Sequence, residues 1–357
     1  MKVVQIIPNF SLAGAEIMCE NLIYSLRERG VDVVAISMFD LQTAITERLE
    51  SKGVKIIYLG KKMGLDLSMF KKFYKVLKEE NPDVIHTHIN TAQYAVPAAL
   101  RLKIKCKVHT VHNIAKKENG KLTRLLSKRW FKRRKVVPVA LSSIVQDSIV
   151  EEYNLKREKV PIIFNGIDLS KCKQKKDYSI GDVFKILHIG RFYEQKNHKG
   201  LIEAFALFHK KYPNSELQLI GDRGNREEIE AFVREKGLTQ SIKFLGEQKN
   251  VYGYLQEADL FALPSLYEGV PMTLIEAMGT GLPIVATRVG GIPDMLTDGE
   301  SAILTEVDVE RVAQAFAAFA EDEEKRRTFG LHAKEESLKF SAKTMTEKYL
   351  AVYKEWM

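Results

Sequence analysis

The sequence predicts an α/β protein built from two doubly wound parallel-sheet domains, and three observations carry that prediction. Its 357 residues exceed the length over which one hydrophobic core keeps growing. Short β-branched runs alternate with stretches of helical period, the order that produces a parallel sheet covered on both faces. The alternation pauses at a polar stretch, "NGIDLSKCKQKKDYSIGD" (165–182), and then restarts.

Taken in order, the strand-like runs of the first half are "VVQII" (3–7), "DVVAIS" (32–37), "VKIIYL" (54–59), "DVIHTH" (83–88), "CKVHTVH" (106–112), "VVPVAL" (136–141) and "VPIIF" (160–164). Helical stretches fall between most of them. After the polar stretch, which reads as a linker, come "FKILHIG" (184–190), "ELQLIG" (216–221), "IKFLG" (242–246), "DLFALP" (259–264) and "LPIVAT" (282–287). The architecture repeats although the sequence does not. In the tail, Met345, Tyr349, Tyr353 and Trp356 recur at helical spacing, so a last helix is expected to pack back on the first domain. The expected divisions are 1–170, 171–340 and this helix, 341–357.

Composition narrows the classes. Cys19, Cys106 and Cys172 lie far apart without C-x-x-C or Cys/His spacing, which argues against a disulfide framework or a structural zinc site. The run "VVQIIP" is too brief for a signal-peptide core, and no apolar run approaches membrane-spanning length. A cytoplasmic protein is expected. Residues 1–170 hold 29 Lys/Arg against 17 Asp/Glu, whereas the remainder holds 26 against 29. The segment "KKENGKLTRLLSKRWFKRRK" (116–135) alone holds ten basic residues and one acid, equal to the net +9 of the whole chain.

Ligands of open parallel sheets bind at the carboxyl ends of the strands, so polar residues following apolar runs are the candidates. After the first run, Gly14 stands where a helix should begin, and a small residue there lets an anion reach backbone N–H groups. An ordinary strand-to-helix turn fits the same spacing. Two later runs end in histidines, "HTHIN" and "HTVHN". Alternation puts His86 and His88 on one face and separates His109 from His112, which is the stronger candidate because the strand gives out beside it. In "ILHIGRFYEQKNHKG", Arg191 follows a strand end and Lys196 lies five residues on, a guanidinium beside an ammonium, as a diphosphate would require. No D-x-D pair stands ready to bring a magnesium ion. In "SLYEGVPMTLIEAMGTGLPIV" (265–285), Glu268 belongs to a loop and Glu276 interrupts an apolar helix opened by Pro271. A carboxylate there is costly without donors, which vicinal sugar hydroxyls or an internal salt bridge would supply equally well.

These pieces together resemble the family 4 retaining glycosyltransferases of GT-B architecture, across essentially the whole chain. The matching features are "AGAE" (13–16), "HTVHN" (109–113), "NGID" (165–168), "GRFYEQKN" (190–197) and "EGVPMTLIE" (268–276), the last being the E-x7-E element. The resemblance implies two Rossmann-like domains facing a cleft, with a nucleotide-sugar donor, expected to be a UDP-sugar, held mainly by the second. It implies that Arg191 and Lys196 contact the diphosphate, with Gly190 beside them, that Glu276 takes the ribose hydroxyls, and that Glu268 binds the transferred sugar near Gly269 and Val270. Gly14 would close over the diphosphate and His112 would reach the sugar. His112, Arg191, Lys196 and Glu268 are the implied catalytic group, acting with retention and with neither metal nor cofactor. The first loop departs from the family in reading Ala13-Gly14 where two glycines are frequent, so close approach there depends on Gly14.

The basic segment suggests the acceptor. On a helical wheel Leu122, Leu125, Leu126 and Trp130 share a face, while Arg124, Lys128, Lys132 and Arg133 lie mostly elsewhere. A basic amphipathic helix with an interfacial tryptophan suits an anionic membrane surface on the inner face of the cell membrane. A solvated helix packing its leucines inward fits as well, whereas nucleic acid lacks the supporting motifs. The expected acceptor is a lipid-diphosphate-linked saccharide in surface-polysaccharide synthesis. Alternatives are a soluble acceptor, a nucleotide-sugar epimerase or phosphorylase of the same fold, and a binding protein without turnover.

Overall fold

The computed structural model describes residues 1–11, 14–118 and 120–357, and the chain divides into two compact units. One comprises Met1–Ile167 with Ser341–Met357, the other Asp168–Phe340.

The first unit contains strands β1 (Lys2–Ile7), β2 (Asp32–Ser37), β3 (Lys55–Tyr58), β4 (Val84–His88), β5 (Cys106–Val111) and β6 (Val137–Ala140). They form a parallel sheet in the order β3-β2-β1-β4-β5-β6. The second contains β7 (Phe184–Ile189), β8 (Ser215–Ile220), β9 (Ile242–Gly246), β10 (Leu260–Leu263), β11 (Ile284–Thr287) and β12 (Ile303–Thr305), in the order β12-β11-β10-β7-β8-β9. Counted from its own first strand, this is the same doubly wound order. In each unit the chain runs outward in both directions from one adjacent pair, β1 and β4 or β7 and β10. A crevice opens at the carboxyl ends of such a pair, because the connections on its two sides leave toward opposite faces.

Apart from Lys2 and Lys185, the central strands are buried, as β-branched runs between two helical layers must be. In the first unit, one apolar layer joins β1, β2 and the helix Gly14–Glu28 to the tail helix Ala342–Glu355, through Met345, Tyr349, Val352 and Tyr353. Trp356 covers its edge. In the second unit, Phe184, Phe205, Phe208, Phe316 and Phe319 form the centre of the core.

Three sequence expectations need correction. "VPIIF" makes only a one-residue parallel bridge, Ile162 to Ala140, because Pro161 has no N–H to continue a ladder. The strand β12 is too short to show a period. The polar stretch 165–182 is not a loose linker: Asn165 and Ile167 are buried in the first unit, Cys172 and Tyr178 in the second, where the Tyr178 hydroxyl donates to Gly281 O at 2.8 Å.

Candidate active site

In the second unit the candidate residues gather at the carboxyl ends of β7 and β10. The chain leaves β7 through Gly190 and Arg191, makes one 3-10 turn at Glu194–Lys196, and enters the helix His198–Lys211 through Asn197. Asn197 adopts a left-handed conformation, accepts from Gly200 N–H and donates to Pro264 O at 3.0 Å. The loop after β10 is thus clipped to the loop after β7. Gln195 reinforces the clip, its side chain donating to Tyr267 O and its carbonyl accepting from Leu266 N–H, both at 2.8 Å.

Lys196 and Glu268 meet inside this clip. Nζ of Lys196 lies 2.6 Å from Oε1 of Glu268, and the Ser265 hydroxyl donates to the same oxygen at 2.6 Å. Glu268 is buried, so its charge is held by one cation and one hydroxyl in a medium that screens little. Its backbone is fixed from behind by Gly291 N–H, which donates to Glu268 O at 3.2 Å. Gly290 has φ of 57°, and a Cβ there would overlap Glu268 O, so this crossing requires glycine. Arg191 is exposed, makes no salt bridge among the described residues, and rests its guanidinium 6.0 Å from the Tyr193 ring centre. Gly190 packs on His188, whose ring is buried and held well toward the neutral form, at about 4. Neutrality there leaves Lys196 and Arg191 as the positive charges of this loop. Gly269 carries nothing within 4 Å of its open side, while Val270 is buried at the entry to the next helix.

Glu276 lies on that helix, Met272–Thr280, entered from Pro271 and ended by Gly281 in a left-handed conformation. Its carboxylate has no salt bridge among the described residues. The Tyr252 hydroxyl, 3.5 Å away, is its one donor among the described residues. Desolvation raises the carboxyl from its ordinary 4.5 to about 7, with Tyr252 and Lys171 opposing weakly. The internal salt bridge left open by the sequence therefore belongs to Glu268, and Glu276 is the carboxylate short of donors.

In the first unit His112 lies just beyond β5. Its backbone N–H donates to Glu118 Oε1 at 2.8 Å, and its Nε2 lies 3.1 Å from His88 Nδ1. His88 Nε2 in turn lies 2.9 Å from Gln5 Oε1, and Gln5 Nε2 donates to the Tyr353 hydroxyl. Burial lowers the His88 imidazole far below its usual range and that of His112 to about 3, so both rings are neutral. With the Gln5 amide so oriented, His88 must donate through Nε2 and accept at Nδ1. His112 then donates through Nε2, and its Nδ1 is an acceptor without a partner among the described residues. On the same face, the Tyr353 hydroxyl contacts His86 Nδ1 at 2.7 Å and His86 Nε2 contacts Thr110 at 2.7 Å, so the tail helix braces this row of polar groups. His109 faces the opposite layer, stacked on Phe131. Gly14 begins the helix Gly14–Glu28 with open space at its Cβ position. Ala13, the other residue of the loop motif, lies outside the described residues.

Sequence reasoning missed Ser265, Gly290, Tyr252 and Gln5, and set His88 aside in favour of His112. Only Ser265, three residues before Glu268, had a local signal. The others arrive from a separate strand, turn and helix.

The basic segment also needs revision. The helix Lys121–Lys132 turns Trp130 inward, buried with Phe131 in the core, so it is not an interfacial residue. Arg124 also points inward, 3.4 Å from Glu152. Lys128 is partly buried, whereas Leu122, Leu125, Arg129, Lys132 and Arg133 form the solvent face. The face read from the wheel is split: Leu126 packs with Trp130 against the core, whereas Leu122 and Leu125 stay in solvent.

Residues 12–171 match the family described as Glycosyltransferase Family 4, and residues 170–336 match Glycosyl transferases group 1. The chain belongs to the family 4 glycosyltransferases. It is 29% identical over 308 residues to N-acetyl-alpha-D-glucosaminyl L-malate synthase of Bacillus anthracis, covering 81% of this chain and 78% of that one. It is 26% identical over 275 residues to the UDP-Gal:alpha-D-GlcNAc-diphosphoundecaprenol alpha-1,3-galactosyltransferase of Escherichia coli, covering 72% and 71%. Among solved structures, Anabaena Alr3699/HepE in complex with UDP and glucose superposes with a TM-score of 0.82 at 20% identity, over 99% of both chains. The lipopolysaccharide outer core galactosyltransferase WaaB superposes with a TM-score of 0.79 at 18% identity, over all of both chains. At these identities the likeness establishes the fold, which is GT-B.

Proposed function

We propose that this glycosyltransferase moves a sugar from a UDP-sugar to a lipid-diphosphate-linked saccharide, with retention of anomeric configuration and without a metal ion. The observation that carries the reading is the pairing of two unlike carboxylates at the β7/β10 crevice. Glu268 is paired with Lys196 and Ser265, whereas Glu276 is desolvated and short of donors. Two vicinal ribose hydroxyls supply what Glu276 lacks. A transferred sugar bonded to Glu268 then lies beside Lys196, where developing charge on the departing phosphate is met by Lys196 and the uncommitted Arg191. The leaving phosphate oxygen takes the acceptor proton on the same face, so no side chain need act as nucleophile. Nδ1 of His112 accepts from a sugar hydroxyl.

The donor assignment is supported by relatives and solved structures named for UDP or UDP-sugars, and the acceptor by relatives named for diphospho-undecaprenol substrates. An anionic membrane surface completes the set of partners. The test is a panel of UDP- and GDP-sugars with a lipid extract and a chelator present, read by mass spectrometry and by the anomeric coupling of the product. The parent should transfer from a UDP-sugar with retention, and Lys196→Ala and Glu276→Ala should each lower the rate by on the order of a hundredfold. Unchanged variants would overturn the site, an inverted product the mechanism, and loss of activity in chelator the metal independence.

A further inference from the structure

We infer that the first unit meets an anionic bilayer with the carboxyl edge of its own sheet, through an apolar loop at residues 61–67 acting together with the solvent face of the helix Lys121–Lys132. The inference rests on the membrane partner proposed above and adds where and in what orientation contact is made.

The loop reads "KKMGLDL" and follows β3 directly. Met63, Leu65 and Leu67 are 89%, 77% and 67% exposed, more than isolated surface apolar residues need be. The loop is a built structure. Asp66 accepts from the backbone N–H groups of Lys62 and Ser68 and from the Ser68 hydroxyl, while Lys61 Nζ donates to the carbonyls of Lys62 and Gly64. Its one carboxylate is thus spent inside the turn, and the three apolar side chains are held outward by backbone geometry.

The second cluster consists of Leu122 and Leu125, 74% and 65% exposed, flanked by Lys121 and Arg129. Direct contacts put both clusters on one edge. The helices Ser68–Glu80, Ala92–Arg101 and Lys121–Lys132 pack side by side, the middle one against each neighbour. In the first turn of that middle helix, Tyr94 receives Asp66 N–H at its hydroxyl and packs on Phe70 at 5.4 Å, while Gln93 accepts from the Thr123 hydroxyl at 2.6 Å. Adjacent residues therefore tether the two clusters. All three helices follow parallel strands, so these starts lie at the carboxyl edge that also carries Gly14 and His112.

Two apolar tips separated by a helix do not form a groove for a peptide. Each tip is bordered by lysine or arginine, Lys62 and Lys71 at the first and Lys121 and Arg129 at the second, all exposed. Protruding apolar side chains in a basic rim match the headgroup–acyl boundary of an anionic leaflet. An acceptor anchored in that leaflet would meet the edge that holds His112.

The test is sedimentation with vesicles of phosphatidylglycerol in phosphatidylcholine, against phosphatidylcholine alone. The parent should bind the anionic vesicles preferentially. Met63→Ser/Leu65→Ser/Leu67→Ser and Leu122→Ser/Leu125→Ser should each weaken binding by about tenfold or more, because each removes at least two inserted side chains. Both variants change exposed residues, should keep the parent's circular dichroism, and should hydrolyse donor in the absence of lipid at the parent's rate. Leu65→Trp should give a blue-shifted emission only with anionic vesicles. Parental binding by the loop variant, or an unshifted Leu65→Trp spectrum, would overturn the inference. So would a parent dimer that the loop variant dissociates while vesicle binding stays unchanged. Failure of the parent to hydrolyse any donor would instead count against the proposed function, since the vesicle measurement does not depend on it.

Discussion

Lowering the pH from about 8 to about 6 should weaken UDP-sugar binding by about tenfold through Glu276 alone. The free carboxyl, raised to about 7 by desolvation, is largely protonated at about pH 6 and largely ionised at about pH 8. Two ribose hydroxyls donating to it favour the ionised form and return it toward its ordinary 4.5. Binding at about pH 6 must therefore expel a proton that most free molecules carry, costing about 1.4 kcal/mol. The candidate-site histidines do not titrate in this window, because burial holds His112 at about 3 and His188 at about 4. Isothermal titration calorimetry in buffers of different ionisation enthalpy measures both quantities. A UDP-sugar is the ligand of choice because its diphosphate does not titrate in this window. Nearly one proton should be released per donor at about pH 6 and almost none at about pH 8. Glu276→Gln should abolish both effects. It should also stabilise the unliganded protein at about pH 8 by about 1–3 kcal/mol. The raised carboxyl favours the folded state below 4.5, and that contribution is lost as pH rises through about 7. A pH-independent affinity in the parent, or proton release that survives in Glu276→Gln, would refute the reasoning.

Three further outcomes follow from the packing. Lys196→Met should cost about 3 kcal/mol by urea unfolding, because it strands the buried Glu268 carboxylate, and adding Glu268→Gln should recover much of that loss. Gly290→Ala should lower stability by about 2 kcal/mol or more and transfer by on the order of a hundredfold, since its Cβ would displace the Glu268 backbone. Trp130→Ala should cost about 3–5 kcal/mol as a core truncation, and its vesicle binding, measured on the folded fraction, should equal the parent's.

Much of the candidate site in the second unit was legible because its residues come from two short segments whose spacing reports their chemistry. Arg191, Lys196, Glu268 and Glu276 all follow strand ends, and the rule that ligands gather there needs only strand assignments. Which carboxylate was paired was not legible. Glu268 and Glu276 look alike in one dimension, and only the clip made by Asn197 and Gln195 brings Lys196 to the first and leaves the second to Tyr252. The row of polar groups behind His112 was hidden for the same reason, since Gln5, His88 and Tyr353 lie on two strands and the last helix.

By itself, then, the sequence determined the two doubly wound sheets, the strand-end loops that carry the candidate residues, and the surplus of positive charge before residue 136. These follow from period, breakers and composition, which are local properties of the chain. Tertiary structure alone decided which side of each amphipathic element faced a neighbour. Trp130 went inward and Leu122 outward because helices on either side claimed one flank of their helix, and the Glu276 carboxyl was raised toward neutrality because burial desolvated it more than Tyr252 and Lys171 could offset. Burial and pairing depend on what other segments bring, and no window along the chain contains that information.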